Sequence, residues 1–168
     1  MINLIRKIGN LCPLILLYFL SISEIDTQFS DLFEILSFNL QLIIIYYWVL
    51  KDETLLGNEH IFFAGVINDV VAGLPLGASA LSYLVVSFVA SYVKNVTVNI
   101  SLFTDWFTFF IAIFISNLTF LILIYNFTNL TINYSDIFYN SFFTLLFYPL
   151  FWLVFNILRS IIGVKRHG

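Results

Sequence analysis

Residues 61–93 read IFFAGVINDVVAGLPLGASALSYLVVSFVASYV, with Gly73-Leu74-Pro75-Leu76-Gly77 near the middle. The run is too long for one ordinary membrane crossing, which takes about 20 apolar residues, and short for two. Its five central residues decide the matter. Glycine enters left-handed backbone freely, while proline removes a donor and turns the residue before it away from helix. The stretch therefore predicts two short helices, over 61–73 and 78–93, joined by a tight hairpin. The first would rise only about 20 Å at roughly 1.5 Å per residue, so it belongs among other helices and not alone in lipid.

On either side of this hairpin, apolar runs bounded by charged or turn residues cover 8–22, 32–50, 106–125 and 137–162. With the hairpin they give six candidate transmembrane helices in one integral membrane domain, 1–168. The runs are continuous in hydropathy, without the alternation of a membrane β-barrel, so the fold class is an all-α polytopic membrane protein. Composition agrees. Of 168 residues 61 % are hydrophobic and 10 % charged, against about a quarter charged in a soluble domain. Mean hydropathy is +0.99. A soluble globular domain and a disordered tail are excluded, and without a basic patch so is a nucleic-acid-binding module.

Charge placement tests the count of spans. The basic residues are Arg6, Lys7, Lys51, Lys94, Arg159, Lys165 and Arg166. Six spans with a cytoplasmic N-terminus put all of them inside, with both termini cytoplasmic, as the positive-inside rule expects. The acidic segment with Glu24, Asp26, Asp31 and Glu34 and the Asn-rich segment 126–136 then fall outside. A single crossing over 61–93 would put Lys94 and the basic C-terminus outside, and is rejected. Tyr46, Tyr47 and Trp48 before Lys51, Tyr92 before Lys94, and Trp106 serve as interfacial anchors. Arg6 and Lys7 before an apolar run ending in Ser21-Ile22-Ser23 also resemble a signal peptide; an uncleaved first span is the preferred reading.

Few residues could carry chemistry. Asp69 is the acidic residue deep inside a predicted span, beside Asn68, and an ionisable group there is a functional-site hypothesis by default. Gly65, Asp69 and Gly73 recur every four residues and would share one helix face, with small residues above and below the carboxyl. Two readings stand: a proton, cation or ligand site, or a carboxyl that caps the neighbouring turn and fixes the packing. The last span carries Asp136, Asn140, Thr144, Tyr148, Trp152 and Asn156 at successive fours, with Pro149 expected to kink it. That stripe could line a cavity or make interhelical hydrogen bonds. Ala80, Ser87 and Ser91 give the fourth span a small face, and Asn39, Gln41 and Asn117 are isolated candidates for interhelical bonding. Asn-x-Ser/Thr occurs at Asn95, Asn99, Asn117, Asn126, Asn129 and Asn133, mostly a chance result in so Asn-, Ser- and Thr-rich a chain. Cys12 reads as a small buried hydrophobe. His60 and His167 lack metal-ligand spacing. No nucleophile elbow or phosphate-binding glycine loop is present, so the sequence implies neither an enzyme nor a cofactor.

The segment Phe62 to Leu81 resembles the MreD family of bacterial rod-shape-determining membrane proteins. That family's pattern is a Gly-x-x-x-Asp hairpin running into Gly-x-Pro-Leu-Gly and an Ala-Leu step. Gly65, Asp69, Gly73, Pro75, Leu76, Gly77, Ala80 and Leu81 match it. The resemblance implies a non-enzymatic component of the bacterial inner membrane that supports lateral peptidoglycan synthesis and cell shape. Its implied partners are the bitopic MreC, the actin-like MreB filament, the transglycosylase RodA and a penicillin-binding transpeptidase. The family is similar in fold to the substrate-binding components of energy-coupling-factor vitamin transporters, and such a component is the alternative. A small secondary transporter is the third possibility and the weakest, because no paired broken helices are apparent.

Overall fold

The computed structural model describes residues 2–22, 39–52, 55–97, 101–127 and 134–162. Among them are six helices and no strand: α1 (Ile2–Ile22), α2 (Leu40–Lys51), α3 (Asn58–Val71), α4 (Ala78–Val96), α5 (Leu102–Phe127) and α6 (Tyr134–Ile162). Three stretches, Ala78–Val96, Leu102–Phe127 and Tyr134–Ser160, are long and apolar enough to cross a membrane. Leu11–Ile22 and Leu40–Lys51 are shorter apolar helices. The expected runs thus become helices with shifted ends. For the second run, 32–38 lies outside the described residues.

α2 is the axis of the bundle. It is apolar all round, and such a helix is stable only when covered on every side. Leu42 to Leu50 are all buried, with Tyr46, Tyr47 and Trp48 among the largest side chains of the core, so these three face the bundle and are not the interfacial anchors expected. α1, α4 and α6 pack on it, α3 lies against α1 and α4, and α5 lies against α4 and α6. Tyr46 meets Phe109 of α5 at 5.0 Å between ring centroids, and Phe109 stacks on Tyr148 of α6 at 4.3 Å. The outer faces carry the opposite pattern. Phe88, Phe103, Phe114, Ile122 and Phe138 are among many large apolar side chains left exposed, a surface that a bilayer solvates and water does not.

Proline shapes the longest helix. Pro149 lies inside α6 and has no N–H to give to the carbonyl four residues before it, that of Leu145. The indole Nε1 of Trp106 on α5 donates to that carbonyl at 2.9 Å. A helical defect in α6 thereby becomes an α5–α6 bond.

Candidate functional site

The site begins where α3 ends. Gly73 follows the last turn with φ 63°, the left-handed conformation that a helix stop of this kind requires and that glycine takes without a Cβ penalty. Its N–H reaches the Val70 carbonyl at 3.4 Å, and the Leu74 N–H reaches the Asp69 carbonyl at 2.8 Å. Pro75 continues the turn, its carbonyl accepting from Ala78 N–H at 3.1 Å. Gly77, at φ 101°, precedes the first residue of α4 and has no side chain to cap it.

Asp69 supplies the missing cap from the preceding helix. Its Oδ2 accepts from the Gly77 N–H and its Oδ1 from the Ser79 N–H, each at 2.8 Å. The residue is fully buried. A carboxylate is disfavoured at the C-terminal end of its own helix and favoured at the N-terminal end of the next, where unpaired N–H groups point at it. The hairpin turn brings those two ends together, so the second effect offsets the first. Four residues earlier on the same face, Gly65 lies against the α4 backbone. A Cβ built there would stand 2.4 Å from Ala80 Cα and 2.7 Å from its N. One turn of α3 therefore fixes both the distance and the register of α4.

The expected face is corrected in one respect. α3 stops at Val71, so Gly73 is not a third small residue on it. Gly73 and Gly77 have open space where a Cβ would be, and their backbone angles, not close approach, call for glycine. Leu76 is 73 % exposed at the tip. Of the two readings of Asp69, the capping carboxyl is the one this geometry matches.

Asn68 extends the site inward. Its Nδ2 donates to Ser79 Oγ at 3.1 Å, and its Oδ1 accepts from Gln41 Nε2 of α2 at 3.0 Å. The Gln41 Oε1 accepts from the Tyr83 hydroxyl of α4, and Gln41 Nε2 also faces Ser21 Oγ of α1 at 3.4 Å. Four helices are joined through one amide. Sequence spacing left Gln41 isolated because its partners are 20 to 42 residues away. Beside this network lies a half-open chamber of about 300 Å³, where Asn68, Ser79, Ser82, Tyr83, Ser116 and Asp136 share the lining with Leu42, Leu74 and Phe120.

A second buried carboxylate stands at the other end of the bundle. Asp105 is in the first turn of α5, one residue before the expected span, and is fully buried. Its Oδ2 accepts from Lys51 Nζ at 3.0 Å and from Trp152 Nε1 at 2.9 Å, while Oδ1 is buried with no partner among the described residues. Lys51 closes α2 and Asp105 opens α5, so both charges sit at favourable helix ends. Sequence spacing did not single out Asp105.

The middle of the α6 stripe turns inward, while Asp136 at its start is exposed. Thr144 Oγ1 accepts from the Asn39 N–H at 2.8 Å, Tyr148 is buried, and Trp152 reaches Asp105, while Asn156 is exposed. Asn117 donates to Ser141 Oγ at 2.6 Å, and Ser87 donates to Asn58 Oδ1 at 2.7 Å. His60 meets the Tyr18 hydroxyl at 3.2 Å, and Cys12 is a half-buried free thiol. Among the described residues no group of three His, Cys, Asp or Glu could hold a metal ion. Comparison of the chain with family models, with curated proteins and with solved structures returns no match.

Proposed function

We propose that this chain is a non-enzymatic, six-span component of the bacterial inner membrane, with both termini cytoplasmic. It would act with an MreC-like bitopic protein in the cell-elongation complex that also holds an MreB-type filament, RodA and a penicillin-binding transpeptidase. The proposal rests on the MreD-like hairpin, and the observation that carries it is the bonding of Asp69. With both oxygens engaged by backbone N–H groups, the carboxyl is a fastener between α3 and α4, which suits a scaffold better than a transport site.

The test compares two variants. Asp69→Asn keeps one acceptor and so one of the two bonds, whereas Asp69→Leu leaves both N–H groups unpaired, at about 1 to 3 kcal/mol for each orphaned group. In cells dependent on this chain for rod shape, Asn is expected to retain part of the function and of the pull-down of the MreC-like partner, and Leu neither. A transport site needs the titratable charge itself. Equal, complete loss in both variants with partner binding intact would overturn the scaffold reading.

The polar chamber favours the alternative, a substrate-binding component of an energy-coupling-factor vitamin transporter. Purification from native membranes separates the two: an MreC-like coiled-coil protein should accompany a scaffold, and a pair of ATPases a transporter component.

A further inference from the structure

A second pocket shares lining residues with the chamber. On the outer side, α5 and α6 leave between them an apolar groove of about 530 Å³. Phe110 and Phe114 of α5 and Phe138 and Phe142 of α6 wall it, each at least half exposed. Asn117 and Ile137 line both spaces, so the groove and the chamber adjoin. The hydrogen bond from Asn117 to Ser141 marks the waist between them. A pocket with polar groups beside an apolar groove that faces the surroundings suits an amphiphile, and both volumes fall in the range of ligand sites.

The lining says which kind of head it takes. Among the described residues no Lys, Arg or His lines the chamber, and the one charged residue there is Asp136, exposed in the first turn of α6. Phosphate and carboxylate heads are held by Arg, Lys or an uncluttered helix N-terminus; here they would meet a carboxylate. Three of the hydroxyl protons are already placed: Ser82 donates to the Ala78 carbonyl at 2.8 Å, Ser116 to the Ser82 carbonyl at 3.0 Å, and Tyr83 to Gln41. Each hydroxyl oxygen has two lone pairs, so these groups offer the chamber acceptors. The amides of Asn39, Asn117 and Asn140 on the same lining carry N–H donors as well, so a head that both donates and accepts hydrogen bonds and carries no negative charge is complementary.

We infer that chamber and groove form one binding site for an uncharged, hydroxyl-headed lipid of the acylglycerol or glycolipid class, with the head among the serines and Tyr83 and the hydrocarbon chain between α5 and α6. This inference does not depend on the elongation reading.

The test uses the full chain in lipid nanodiscs and two photoactivatable probes with the same diazirine-bearing chain, a monoacylglycerol and the corresponding fatty acid at alkaline pH. Adduct positions are mapped by peptide mass spectrometry. Monoacylglycerol adducts are expected to concentrate at Phe110, Phe114, Phe138 and Phe142 and to exceed fatty-acid adducts there by about fivefold or more, the ratio set by roughly one hydrogen bond. At Phe88 and Tyr92, on the exposed face of α4, the two probes should label equally. Asn117→Leu, which fills the waist, should lower the monoacylglycerol adduct in the groove. Asp136→Lys, at an exposed position that leaves packing intact, should raise the fatty acid to parity with the monoacylglycerol. Equal labelling of the groove by both probes in the natural chain, adducts no denser there than at Phe88, or no response to Asp136→Lys would overturn the inference. So would competition by free glycerol as strong as that by unlabelled monoacylglycerol, which would point to a soluble solute.

Discussion

Gly65 and Asp69 stand one turn apart on α3, and each answers to a backbone feature of α4: the Cα of Ala80 for one, the N–H groups of Gly77 and Ser79 for the other. Neither demand can be met by adjusting a side chain. Gly65→Ala should therefore force the helices apart and lower the thermal stability of the detergent-solubilised protein, by about 1 to 3 kcal/mol on the scale of overpacked cores. Because the nearest contacts are Ala80 Cα and N rather than its Cβ, adding Ala80→Gly should restore little. Full recovery in the double variant would show that the approach is of side chains. The sequence made Gly65 and Asp69 legible through their spacing of four. It misplaced Gly73 because counting by fours continued past Val71, where the helix has already stopped.

At the scale of helices, two of the bonds that hold α6 come from residues that look unfavourable in isolation. Pro149 frees a carbonyl and Trp106 takes it up; Asp105 is a buried charge until Lys51 and Trp152 meet it. Trp106→Phe should cost about 1 to 3 kcal/mol, since the Leu145 carbonyl loses its donor. In a Pro149→Ala background, where the backbone N–H returns, the same substitution should cost less, and a double-mutant cycle on thermal unfolding reads the difference. Additive effects would mean that the indole bond does not depend on the proline. Hydropathy located these helices, and Pro149 was visible as a point of weakness. Asp105 was not, because the run of apolar residues begins after it and its partner lies 54 positions away, where no periodicity connects them.

For the whole molecule, helix order places Lys51 and Arg159 at the C-terminal ends of α2 and α6 and Lys94 near that of α4. Reporter fusions after Lys94 and after Gly168 should both read as cytoplasmic; a periplasmic signal at either would break the six-span arrangement. Fold class and helix layout were legible because a bilayer imposes long apolar runs on any sequence that crosses it. The centre of the bundle was less so. α2 is apolar in every direction, and nothing in such a run says which neighbour covers which side. The joining of Ser21, Gln41, Asn68 and Tyr83 likewise depends on four helices meeting, which local patterns do not encode.

The capping of α4 by Asp69 also bears on how the chain is made. As Asp69 emerges during synthesis, the two N–H groups that will bind it do not yet exist; Ser79 follows ten residues later, about one second at ribosomal speed. A carboxylate left alone in hydrocarbon over that interval carries a penalty of several kcal/mol. α3 should therefore wait in the polar environment of the insertion machinery and leave it for the lipid only together with α4, the two helices partitioning as one unit.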